Sequence, residues 1–330
     1  MIIPLRDETL VLRKLLGYSA ASSLIPTIGT DYDDSDDLLL AGSLMWDVLF
    51  VGIDVDTTEG YEELIPDQQF HIGFSLLDTR DLHSLVSATP EAKLDIIRSH
   101  QFTIGTSKYC KKAALRFLFG ESEQLNSPEQ VAVRFASLVP ADRNVVYVAH
   151  GAKADLRVLV NCGITRRPIY TIDTVKAAQT PLQLTYRYSL EALLDRFGIP
   201  YKYLHAAGND AHFCLRAMLM LAVVDGEQYQ QPRLTSKSKL NDSDRLFSVL
   251  RSIAQAPRPL SKHEIEAPLK EEEMAHRLEL KRAAKELRRA KRAAKTERRR
   301  LERESRSQDK AEEDDISGKP ESESKSSSLF

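Results

Sequence analysis

"DVLFVGIDVD", residues 47–56, decides the fold: an unbroken apolar run leaves water at both faces and then ends in two carboxylates. A strand buried on both sides of a sheet reads this way, and its polar end marks where it emerges at the sheet edge. "QQFHIGFSLLDT" (68–79) alternates and reads as its hairpin partner, and "SHQFTIGT" (99–106) as a third strand. "KKAALRFLFGESEQL" reads as an inserted helix and turn, and "SPEQVAVRFASLV" (127–139) as a helix with Pro128 at its first position. "NVVYVAH" (144–150) is a fourth strand, followed by the helix "AKADLRVLVNCG", which stops at Gly163. "RPIYTIDT" (167–174) is a fifth strand. "SLEALLDRFGIP" (189–200) has a helical apolar stripe closed by Gly198 and Pro200, and "HAAGNDAHFCLRAMLML" opens a last apolar helix running to about Val224. The expectation is an α/β domain over residues 46–226, with a mixed five-stranded central sheet flanked by helices.

Around that domain the composition changes. Residues 1–45 begin with an amphipathic stretch and pass into the acidic "GTDYDDSDD", read as an extension with a linker. Residues 227–261 read as a second linker. Residues 262–306 are built from strong helix formers and read as one long charged helix, with apolar pairing for a coiled coil only near Met274, Leu278 and Leu280. Residues 307–330 have a disordered, Ser-rich acidic composition.

The net charge of −2 conceals an asymmetry. Residues 277–306 carry 14 Lys and Arg against 5 Glu, so this stretch holds +9 and the remainder of the chain −11. An acidic body with a basic arm suits a carboxylate-bearing domain beside a polyanion contact, and it equally suits a solvated helix with i,i+4 ion pairs. "RRAKRAAK" and "ERRRLERESR" also read as nuclear-import patches, which places the chain in nucleus, cytoplasm or both. Three cysteines without CxxC spacing read as free thiols and argue against structural zinc. The N-terminus lacks the order of a signal peptide, and residues 38–53 fall short of a bilayer span and contain Asp47, so no membrane segment is read.

Four carboxylates fall where elements should meet one sheet edge. Asp54 and Asp56, two apart on the first strand, share a face. Asp155 lies in the first turn of the helix after the fourth strand, and Asp210 begins the last helix. Carboxylates that converge without Lys or Arg repel unless a cation lies between them, and all-oxygen donors suit Mg²⁺ or Mn²⁺. Two such ions support phosphodiester hydrolysis. His205, on a loop before Asp210, stands where a general base would serve, with the small residues "AAGN" allowing it to fold over the ions. His71, His150 and His212 read as structural.

In order and spacing, "DVD" (54–56), "HGAKAD" (150–155) and "HAAGNDA" (205–211) resemble the motifs of the DEDDh 3′–5′ exonucleases of the ribonuclease H-like superfamily; the resemblance covers about residues 46–225. "FLFGESE" (117–123) narrows it to the fungal "good for full DEAD-box activity" protein domain, a branch tied to RNA metabolism. The resemblance implies a ribonuclease H-like fold and metal ligation by Asp54, Asp56, Asp155 and Asp210, with His205 as base. It also implies 3′–5′ cleavage of RNA or single-stranded DNA with two Mg²⁺ or Mn²⁺ ions. Three departures stand out: Asp56 where the family has glutamate, Gly151 for the usual asparagine, and Ala154 for a bulky residue. Glu59 is the nearby carboxylate that could make up for the shorter Asp56. A module of the same fold that binds nucleic acid or a protein partner without cutting is the alternative.

Overall fold

The computed structural model describes residues 5–18, 39–60, 64, 67–87, 95–230 and 237–316. It divides into two units, residues 1–259 and residues 260–330.

The first unit is built on a six-stranded sheet in the order β4-β3-β2-β1-β5-β6. Its elements begin with helix α1 (Asp7–Leu15), strands β1 (Val48–Thr57) and β2 (Phe70–Asp78), helix α2 (Thr79–Ser87), strand β3 (Arg98–Ile104), helix α3 (Lys108–Arg116) and strand β4 (Ser122–Leu125). They continue with α4 (Glu129–Leu138), β5 (Asn144–Ala149), α5 (Lys153–Asn161), β6 (Tyr170–Asp173), the single turns α6 (Thr174–Ala177) and α7 (Gln179–Leu182), then α8 (Leu190–Phe197), α9 (Ala207–Gln230) and α10 (Lys237–Ala254). β1 to β3 form an antiparallel meander, β5 and β6 run parallel to β1, and β4 runs parallel to β3.

Alternate residues of β1 serve two cores. Val48 and Phe50 join the apolar cluster under α8, α9 and α10, while Leu49, Val51, Ile53 and Val55 join Val131, Phe135, Val158 and Leu159 on the α4–α5 side. Asp54 and Asp56 therefore emerge on the α9 face. The opposite end of the sheet is held by charge: Arg143, 6% exposed, spans Asp47 and Asp78, and Arg80 makes a bidentate bond to Asp47.

The sheet carries one strand more than the five read from sequence. β4 is four residues of polar "SEQL" at an edge, too short and too hydrophilic to show a period of two. Helix α2 was likewise not foreseen. The stretch 227–261, read as linker, contains α10, whose Leu246, Phe247, Leu250 and Ile253 are buried in the α9 core; Gly226 leaves the room that the Phe247 ring fills. The amphipathic stretch at the N-terminus is part of the body and not an extension. Val11, Leu12 and Leu15 of α1 and its C-cap Leu16 are buried, Arg13 makes two 2.8 Å bonds to Asp225 of α9, and the Tyr18 hydroxyl donates to the same carboxylate at 3.1 Å. The acidic stretch 29–37 lies outside the described residues.

The second unit contains helix α11 (Lys262–Ile316). A capping box starts it: Glu264 Oε2 accepts from the Ser261 backbone N–H at 2.8 Å, and Ser261 Oγ accepts from the Glu264 N–H at 3.3 Å. The helix runs ten residues past the expected end at 306; the tail from 317 lies outside the described residues. Met274, Leu278 and Leu280, the residues read for coiled-coil pairing, are all more than half exposed. No helix among the described residues is long and apolar enough to cross a membrane.

Candidate active site

Two glycines bring the carboxylates together. Asp54 pairs across β1 and β2 with Gly73, and Gly52 lies two residues before it on the same face. A Cβ on Gly73 would overlap the Ala207 carbonyl, and one on Gly52 would come within 2.6 Å of the Ala211 carbonyl oxygen. The first turn of α9 thus rests directly on the sheet, backbone against backbone, and delivers Asp210 beside Asp54. This also corrects the reading of "AAGN". Ala206, Ala207 and Asn209 have no exposure, so the small residues serve close packing and not mobility.

Asp155 arrives from the other side. The β1–β5 ladder ends at Gly52–Val148, and beyond it the Val55 N–H donates to Asp155 Oδ1 at 3.2 Å. The first turn of α5 is thereby tethered between Asp54 and Asp56. Gly151, at φ +88°, makes the turn from β5 into α5, a left-handed conformation that explains glycine at this position. Its N–H donates to Asp173 Oδ1 at 3.0 Å.

Asp210 Oδ2 accepts from the His205 backbone N–H at 2.8 Å, while its Oδ1 is buried with no hydrogen-bond partner. His205 is exposed at φ +63°, and Tyr203 two residues earlier is at φ +56°. Two non-glycine residues in the left-handed region mark a constrained loop. Asn209 holds it: Nδ2 donates to the Tyr203 and Arg116 carbonyls, each at 2.9 Å, and Oδ1 accepts from Leu118 N–H. The inserted "FLFG" segment is fastened to α9 by the same side chain, and Phe119 stacks on His212 with ring centroids 3.5 Å apart.

The electrostatics follow from this convergence. Burial raises the Asp54 carboxyl well above its usual range, and the charges acting on it, Asp210, Asp155 and Asp56, are all carboxylates that raise it further. Burial lifts Asp155 to about 7 against the pull of the Val55 N–H, and lifts Asp210 to about 7 against that of the His205 N–H. Acidic groups held so close without a cationic side chain fit a hard divalent cation, and Asp210 Oδ1, buried without a hydrogen-bond partner, is an oxygen of the kind such a cation takes. Among the described residues no three His, Cys, Asp or Glu side chains close around one ion position.

Asp56 is the outlying member. Its carboxylate is 27% exposed and lies 3.8 Å from Nε2 of His71, its cross-strand neighbour. His71 accepts from the Ala207 N–H through Nδ1 at 3.2 Å, so its proton sits on Nε2, facing Asp56. Burial pushes this imidazole down to about 4, opposed by the Asp56 charge. Glu59 is exposed in the turn beyond β1 and is absent from the charges acting on Asp54, Asp155 and Asp210. His150 bonds Thr174 Oγ1 and the Tyr188 carbonyl, and His212 bonds Ser99 Oγ, so both are structural as read. Sequence reasoning passed over Asp173, Asn209 and the contact of His71 with Asp56. Only Asp173 left a signal, as the carboxylate closing "YTID".

Carboxylates from β1, α5 and α9 are thus gathered at one edge of a mixed sheet on a ribonuclease H-like fold. The family described as DNA polymerase III subunit epsilon-like, C-terminal domain, matches residues 49–221, and the chain belongs to this DEDDh exonuclease family. Among curated proteins none matches the chain.

Proposed function

We propose that the protein is a metal-dependent 3′–5′ exonuclease that hydrolyses RNA or single-stranded DNA. The observation that carries the reading is the Asp54–Asp155–Asp210 cluster, with Asp155 and Asp210 buried, Asp54 half-buried, and carboxylates as the charges acting on each of them. Asp54, Asp155 and Asp210 would hold Mg²⁺ or Mn²⁺, with Asp56 at the rim as a fourth ligand. Bound divalent ions, two in this reading, supply an activated water and offset charge on the scissile phosphate. Hydrolysis forms a bond from the water oxygen to phosphorus and breaks the bond to the leaving 3′-oxygen. An imidazole nitrogen of His205 takes the proton lost by the water, from an exposed loop that Asn209 and the Asp210 carboxylate hold in place. His71 turns its Nε2–H toward Asp56 from 3.8 Å, a charge contact and not a hydrogen bond. Membership of the fungal branch tied to RNA metabolism is supported by "FLFG", whose Phe119 and Leu118 join the insertion to α9.

One observation favours a second reading, in which the domain grips nucleic acid or a protein partner without cutting it. Asp56 is one methylene short of the family's glutamate and leans toward His71. A 3′-labelled and a 5′-labelled single strand, incubated with Mg²⁺ or Mn²⁺, distinguish the two. Release of mononucleotides from the 3′ end, lost in Asp54→Asn and Asp210→Asn, supports the exonuclease; no release above those variants with either metal leaves the binding module.

A further inference from the structure

Helix α11 sorts its side chains by sign. At about 100° per residue, nine of the 14 Lys and Arg between 277 and 306 fall within an arc of about 80°, in steps of 4, 4, 3, 4, 3, 4, 4 and 3 residues from Arg277 to Arg306. Four of the five glutamates in this stretch lie on the opposite side, Leu280, Leu287 and Leu301 lie off the stripe between them and its edge, and Leu278 flanks the stripe's other edge. Residues 270–307 are all exposed. The helix's ion pairs among the described residues are made by Lys262, Lys270, Arg298 and Arg300, none of them on the stripe. The result is a straight line of unpaired cations about 44 Å long.

We propose that this stripe is a rail for the phosphate backbone of a single-stranded nucleic acid. A line of positive charge concentrated on one narrow face follows one phosphate chain; a helix seated in a duplex groove has a phosphate chain on each side. Residues 262–316 contain no Phe, Trp or Tyr, so there is no stacking platform and the contact is electrostatic and indifferent to base sequence. An anionic bilayer fits poorly, because a helix lying on its basic face would hold Leu280, Leu287 and Leu301 away from the lipid, the reverse of an interfacial helix. The inference rests on the nuclease reading only in its choice of polyanion.

The test uses the full chain in EDTA, so that binding is read without cleavage and either result can fail alone. Binding of a fluorescent 30-nucleotide single strand is measured across salt concentration for three proteins. These are the wild type, a stripe variant (Lys281→Gln, Lys285→Gln, Arg288→Gln, Arg292→Gln), and an off-face variant of equal net charge (Arg282→Gln, Lys291→Gln, Arg298→Gln, Arg300→Gln). Each phosphate contact on a single strand contributes a slope of about −0.7 in log K against log salt, so the stripe variant should flatten the slope by about 3 and weaken binding at least tenfold near 0.1 M salt. The off-face variant should stay within about threefold of wild type. Equal losses in both variants, no loss in either, or binding to anionic vesicles through the stripe in place of the oligonucleotide would overturn the proposal.

Discussion

Replacing Asp210 with asparagine should stabilise the metal-free protein while disabling its site. Asp210 is 8% exposed, and its carboxyl is lifted from 3.8 to about 7 by burial and then by Asp56. Folding thus disfavours its ionised form. Below pH 4 the group is protonated in both folded and unfolded chains and costs nothing; the penalty grows between pH 4 and pH 7 and is complete above that. About three pK units correspond to about 4 kcal/mol as an upper bound, since neighbouring carboxylates share the strain. Asparagine keeps the oxygen that accepts from the His205 N–H and gives the unpartnered side of the group an N–H to offer nearby carboxylates. The expected gain is about 2–4 kcal/mol at pH 8, or roughly 5–10 °C in Tm, and less than half of that at pH 5. Thermal unfolding of both proteins in EDTA at the two pH values measures it. An Asp210→Asn protein no more stable than wild type at pH 8, or a gain independent of pH, would refute the claim that these carboxylates are crowded together.

Gly73→Ala places a methyl against the Ala207 backbone and should cost about 3 kcal/mol in urea unfolding; a cost under 1 kcal/mol would mean α9 does not rest on β2 as described. Asp225→Ala strands the Arg13 guanidinium and the Tyr18 hydroxyl and should cost about 3 kcal/mol, whereas a neutral effect would show that α1 contributes nothing to the body. His71→Phe keeps a ring against Tyr109, 4.9 Å away, but removes the proton facing Asp56. Mn²⁺ affinity should fall about tenfold, and unchanged affinity would leave Asp56 positioned by the backbone alone.

Much of this architecture was legible because it rests on local rules. The apolar run of β1 ending at Asp54, the left-handed glycines Gly163 and Gly198 closing α5 and α8, and the Ser189 cap whose hydroxyl accepts from the Ala192 N–H at 3.1 Å each declare themselves within a few residues. The carboxylates were legible as a set only through motif order, since no single one differs from an ordinary helix or strand end. What stayed hidden depends on partners distant in sequence. β4 is a strand only because β3 offers it an edge, and α10 has a helical pattern weakened by polar residues until Gly226 admits Phe247. The glycines Gly52 and Gly73 drew no notice in the sequence, yet they let the first turn of α9 approach β1 and β2. His71 was read as structural; its nearness to Asp56 comes from cross-strand register, which composition does not reveal.

Titration of the metal-free protein with Mn²⁺ by calorimetry probes the shared carboxylate site most directly. The account predicts saturable binding to the wild type that weakens at least tenfold in each of Asp54→Asn, Asp155→Asn and Asp210→Asn. Absence of binding to the folded wild type, or affinity unchanged by all three substitutions, would contradict it.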